Sequence, residues 1–214
     1  MINLLLKPSI ETLWMVGCST VIALILGLPL GIILVVTDEK GIHPNKVTYS
    51  ILSGFVNLTR SIPFIILMIL LFPLSRIIVG TTIGTAATIV PLSIGAAPFM
   101  ARIIESSLKE VGHGIIEAAQ SMGANEYEIV IKVLLPESLP SLVRGITMLM
   151  ISLVGYSAMA GAIGGGGLGD LAIRYGYHRY QMDVLIASVI TIVLFVQLIQ
   201  GLGNLVANII VSRR

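Results

Sequence analysis

The chain has 214 residues, 56% of them hydrophobic and 11% charged, with a mean hydropathy of +0.99 and a formal net charge of +2. A soluble domain is about 25% charged, so this composition excludes one and describes an integral membrane protein of single-domain length. The small positive excess reads as orientation charge, not as a nucleic-acid surface. Glycine is abundant, at 22 residues, and aromatics make up 6%. That balance suits packed transmembrane helices better than a β-barrel, whose strands alternate polar and apolar residues. The single Cys18 lies in an apolar run and reads as a core residue, since thiolate chemistry needs a polar setting. The apolar run after Lys7 exceeds the roughly 7–15 residues of a signal-peptide core, which argues against a cleaved leader.

In chain order, residues 12–37 are uncharged and form the first expected span. Gly27, Pro29 and Gly31 crowd its second half and predict a kink or close packing. A polar loop follows over 38–46. Residues 47–75 are interrupted only by Arg60. They read as one helix kinked at Pro63, or as an interfacial helix followed by a span, with the second span set at about 57–74. The third span is expected at about 85–104, after a turn at Gly80–Gly84, bent near Pro91 or Pro98. The fourth is expected at about 139–160, ended by the glycine-rich run 161–169, which is too poor in side chains for a stable helix. Residues 170–183 read as a Tyr-rich interfacial loop, and 184–210 as the fifth span. The fold class is therefore an all-α integral membrane protein, residues 1–214 forming one domain. With five spans and the N-terminus outside, the inner side carries Lys40, Lys46, Arg60, Arg102, Lys109, Lys132, Arg144, Arg213 and Arg214, against Lys7, Arg76, Arg174 and Arg179 outside. That bias favours a cytoplasmic C-terminus.

The region between the third and fourth spans, about 105–138, is the longest polar interruption, with its densest part over 117–136. Charges at the bilayer centre cost at least about 2.5 kcal/mol each, so the stretch lies in water or against a partner. Helix formers fill 117–122, and Gly123 can end that helix as a left-handed cap. Asn125 and Glu128 have capping-box spacing, opening a second short helix over 129–135 that Pro136 and Pro140 are expected to stop. Ala118, Ala119 and Gly123 offer small side chains to an approaching surface.

Glu117-Ala118-Ala119, three residues, Gly123, nine residues, then Val133-Leu134-Leu135-Pro136 resembles the EAA motif of ABC importer permeases, E-A-A-x3-G-x9-I-x-L-P, with Val133 in place of Ile. In that family the segment is a coupling helix that docks in a groove of the ATP-hydrolysing subunit. Further segments at 60–64, 94–102 and 153–176 resemble the permeases of methionine-type ABC importers, so the resemblance covers nearly the whole chain. It implies a type I ABC importer permease fold and a homodimer in the cell membrane. It also implies two ABC ATPase subunits on the cytoplasmic face and an external solute-binding protein that delivers methionine or a related amino acid. Glu117, Ala118, Ala119, Gly123 and Pro136 would form the ATPase-coupling segment. Met159 would be a gate, although methionine is equally a common filler of helix packing.

No cofactor, metal, catalytic site or nucleic-acid partner is expected. His43, His113 and His178 lack metal-ligand spacing. The run 164–169 satisfies G-x-G-x-x-G but follows a membrane span, not a strand, and Asp170 stands where a phosphate-binding loop needs Lys. ATP hydrolysis is therefore expected in another polypeptide, and the chain is not read as an enzyme. A carrier driven by protons or sodium is the rival; it usually needs carboxylates at membrane depth, and Glu11, Glu105 and Asp183 all read as span edges. Gln197, Gln200, Asn204 and Asn208 recur at helical spacing in the fifth span, as a polar path, as interhelical glue or as the place where the helix leaves the bilayer. Arg60 reads as snorkelling or as a structural charge near the cytoplasmic mouth.

Overall fold

A computed structural model of the chain describes residues 2–212. Arg213 and Arg214, counted among the inner charges, lie outside the described residues. Every regular element among those described is helical. These are α1 (Ile2–Thr37), α2 (Lys46–Ser61), α3 (Phe64–Val79), α4 (Thr85–Lys109), α5 (His113–Ser121), α6 (Glu126–Glu128), α7 (Leu135–Gly161), α8 (Gly167–Leu171) and α9 (Met182–Ser212). Four helical runs are long and apolar enough to cross a membrane, and the bent pair α2–α3 makes a fifth.

The most enclosed of these runs is α4, which packs against α1, α2, α3 and α7. Its fit to α1 explains Gly27 and Gly31. A Cβ on Gly27 would come within 2.8 Å of Met100, and one on Gly31 within 2.7 Å of Ile104. Small residues there let the two backbones approach, as in other membrane helix pairs. The close packing expected at this place is realised. Met15, Leu92, Met100, Ile104, Leu149 and Leu153 form the buried centre between α1, α4 and α7.

Three expectations are corrected. The second span is not continuous over 57–74. Helix α2 stops at Ser61 and α3 starts at Phe64, with a 105° bend between them. Pro63 has no N–H to donate and biases Ile62 toward extended backbone, which it adopts at φ −78° and ψ 127°. The helix that carries the fourth expected span does not begin at 139, nor do Pro136 and Pro140 stop a helix. The chain runs helically through Glu126–Gly161, and Ile129–Leu134 widens to a π-type turn. Widening there makes room for a Pro136 ring that would otherwise press on the preceding turn. Finally, 170–183 is largely not a loop. Within the glycine-rich run positive φ occurs at Gly164, Gly166 and Gly167, and the helix resumes as α8 with a π-type continuation over Ala172–Tyr177. Gly176 lets this segment lie against α9, since a Cβ there would sit 2.7 Å from Leu185.

Candidate functional site

The motif segment forms a tight elbow at one end of the molecule. Helix α5 ends in a paired cap: the Gly123 N–H donates to the Gln120 carbonyl (2.9 Å) and the Ala124 N–H to the Ala119 carbonyl (3.1 Å). Gly123 sits at φ 82°, the left-handed conformation this cap requires. Asn125 opens the next helix at once. Its side chain accepts from the Glu128 N–H (2.9 Å), and the Glu128 carboxylate accepts from the Asn125 N–H (3.1 Å). These bonds satisfy orphan backbone groups on both sides of the turn, so the elbow is stiff without outside help.

Ile115, Ala118, Met122, Gly123 and Tyr127 are exposed on the elbow, Met122 by 81%. Glu117 is exposed beside them, 3.2 Å from His113 Nδ1. Ala119 is instead 4% exposed and faces the chain's own core. Its small side chain seats α5 on the body of the molecule, so it offers nothing to an approaching surface. Pro136 lies half-buried beyond the π-type turn, away from the elbow's tip. The exposed apolar residues Ile115, Met122 and Tyr127 carry no signal in the motif itself. Their signal is exposure of large apolar side chains on an otherwise polar segment.

An ion-pair network braces the structure behind the elbow. Glu105, 4% exposed, accepts from Lys109 Nζ (2.9 Å), from the Tyr49 hydroxyl (3.0 Å) and from the Arg102 guanidinium. Arg102 also donates to Ser53 Oγ (2.6 Å) and Asn57 Oδ1 (2.9 Å) on α2, and Lys109 to Asp38 (2.6 Å) after α1. Partial burial disfavours the charged Asp38 carboxylate, but the Lys109 hydrogen bond and charge, with the Lys40 amide, outweigh it and hold its pKa below the ordinary value. His43 reaches Glu126 of the elbow at 3.0 Å, so the loop after α1 touches both brace and elbow. Glu105 is thus a buried member of a network, beyond the span-edge charge the sequence suggested.

At the opposite end, the glycine-rich run is rigidly packed. A Cβ on Gly161 would fall 2.2 Å from the Asp170 backbone nitrogen, and one on Gly169 2.4 Å from Ala158 Cα. From α1, Glu11 accepts from the Gly167 N–H and Thr12 Oγ1 from the Leu168 N–H, both at 2.9 Å. These glycines are sites of close packing. Met159 stands just before this turn and is 48% exposed. Gln197, Gln200, Asn204 and Asn208 are all exposed on α9, with Gln200 bonded to Asn204. Arg60 lies over Phe99, 5.3 Å from the ring centroid.

A bundle of apolar helices with a braced polar elbow at one end defines a multi-pass membrane component. Residues 27–214 match the model of the family described as binding-protein-dependent transport system inner membrane component, and the chain belongs to that family. It is 50% identical over 202 residues, 94% of this chain and 90% of the relative, to the probable D-methionine transport system permease protein MetI of Vibrio cholerae serotype O1. It is 46% identical to the methionine import system permease protein MetP of Bacillus subtilis, covering 85% of this chain and 82% of that one. Its fold matches a chain from inward-facing conformations of the MetNI methionine ABC transporter with a TM-score of 0.96 and 47% identity, covering 98% of this chain and 97% of that one. A crystal structure of an amino acid ABC transporter with histidines matches with a TM-score of 0.79 over 97% of this chain and 94% of that one, at 20% identity, a likeness of fold alone.

Proposed function

We propose that this chain is the permease subunit of an ATP-driven methionine importer. It would act as a homodimer with two ATPase subunits on the cytoplasmic face and an external binding protein that delivers the substrate. The observation that carries the reading is the elbow, where the EAA-like motif is held stiff by caps on both sides and turns Met122 and Tyr127 outward. A stiff, partly apolar projection can transmit the closure of an ATPase pair as rigid-body rocking of the helices. The substrate assignment draws on the names of relatives at about half identity. The chain supplies the path, and ATP hydrolysis belongs to the partner subunits. The charge bias of the loops supports an external N-terminus and a cytoplasmic C-terminus. In that orientation Met159 lies toward the outside, where its apolar side chain acts as a gate.

Reconstitution with the ATPase and binding protein tests the reading. Labelled methionine should enter vesicles on ATP addition, and other amino acids should compete poorly. Glu117→Lys or Gly123→Trp should cut ATP-driven uptake at least tenfold while the protein still inserts. Normal uptake in both variants would refute docking at the elbow.

A further inference from the structure

A second feature lies between α2, α4 and α7, separate from the elbow. Arg60, Phe99, Ser106, Ser141, Arg144 and Met148 line a cavity of about 360 Å³, within the size range of small-molecule sites. Arg102 also reaches its wall, but Glu105 neutralises it. Arg60 and Arg144 are exposed, and among the described residues neither has an ion-pair partner. Among the described residues no carboxylate lines this cavity. It therefore combines two guanidiniums that form no ion pair among the described residues with serine hydroxyls and an apolar wall of Phe99 and Met148.

The cavity sits at one end of a continuous open face. Arg144, Met148, Ser152, Gly155 and Met159 follow one another at helical spacing on α7, and all are exposed or half-buried. The flanking positions Leu149, Leu153 and Val154 are buried. Helix α1 covers the other side of α4, through Gly27 and Gly31, and α9 covers α7 elsewhere, where Gly203 meets Thr147. Among the described residues nothing covers the open face. Arginine and serine on it are poorly suited to hydrocarbon and well suited to a water-filled path.

We infer that this cavity is a binding site for the carboxylate and apolar side chain of the transported amino acid on its way to the cytoplasm. The inference rests on the importer reading above. Guanidinium groups and hydroxyls bind a carboxylate through charge-assisted hydrogen bonds. Phe99 and Met148 provide a soft, polarisable surface for a thioether or other apolar chain. An adjoining cavity shares Ser141 and Arg144 and adds Glu110, a carboxylate suited to an ammonium group. Such a site need only be weak, because a path that binds tightly does not release.

The test uses the purified permease–ATPase complex in nanodiscs of phosphatidylcholine, without nucleotide or binding protein. Labelled methionine binding is measured against the isolated ATPase subunit, so that any site there is subtracted. The complex should show saturable excess binding. Unlabelled methionine should compete for it, and methioninamide, which lacks the carboxylate, should not. Arg60→Gln and Arg144→Gln should each weaken binding about tenfold, with Arg144→Lys intermediate. Equal competition by the amide, unchanged binding in the double Gln variant, or no excess binding would overturn the inference. So would an Arg effect confined to nanodiscs containing phosphatidylglycerol, which would assign the guanidiniums to lipid headgroups. The amide comparison needs no variant, so misfolding cannot mask the answer. ATP-driven uptake by the unaltered transporter separates the two claims: if uptake occurs without excess binding, only this site falls; if methionine is not taken up, the importer reading falls.

Discussion

Glu105 holds Arg102 and Lys109 at once near the C-terminal end of α4. A carboxylate this buried is sustained only because both cations and the Tyr49 hydroxyl replace its lost water. Glu105→Gln leaves two cations facing an uncharged amide, and breaking such a buried set costs about 3–5 kcal/mol. The thermal midpoint of the detergent-solubilised protein should fall clearly in this variant. Tyr49→Phe removes one hydrogen bond and should cost only about 1 kcal/mol. The same geometry bears on the ion-coupled alternative. A proton-carrying acid at membrane depth would need to stand uncompensated, whereas two cations pair with Glu105. The sequence held one clue, because Arg102, Glu105 and Lys109 have the three- and four-residue spacings of helix neighbours. Their links to Ser53 and Asn57 on α2, and to Asp38, are set by the fold.

Among the elements, those governed by neighbouring residues were legible. The elbow needs only a left-handed glycine and an Asn–Glu box, and both sit within a few residues of the groups they satisfy. The break at Pro63 was legible as a possibility, but its 105° bend depends on where α3 packs, with Phe64 stacked 4.2 Å from Tyr156. The glycine-rich turn was harder to read, since glycine permits both looseness and tight contact. Its atoms meet backbone on backbone, which cannot yield as a flexible side chain can. Gly161→Leu or Gly169→Val should therefore abolish recovery of monodisperse transporter by size-exclusion chromatography. Gly17→Ala, with no neighbour within 4 Å, should leave recovery unchanged.

At the level of the whole molecule, α3 and α9 expose many large apolar side chains, including Ile66, Leu70, Leu194, Leu198 and Leu202. Lipid or a second copy must cover them, and the face of α7 that carries Met159 also lies open. If two copies enclose a path along that face, the two Met159 positions approach across the symmetry axis. Met159→Cys in a Cys18→Ser background should then give a disulfide-linked dimer on mild oxidation, read as a doubled mass on a non-reducing gel. Such a bridge needs Cα atoms about 4.4–6.8 Å apart, so it also measures how closely the two positions approach. The band should weaken when the assembled transporter is driven into an outward-open state.

The sequence by itself determined the membrane class, the helical content, the approximate places of most long apolar helices and the capped elbow. Each follows from hydropathy summed along a helix or from hydrogen bonds between near neighbours. The tertiary structure alone decided that Ala119 faces inward, that the glycines pack tightly, that Glu105 is buried and braced, and that Arg60 and Arg144 share one cavity. These depend on which helix faces approach one another. That choice is made by contacts between residues far apart in the chain, such as Gly31 with Ile104 and Tyr49 with Glu105. Local patterning cannot specify it, because a helix offers several faces of similar apolarity and only packing selects among them.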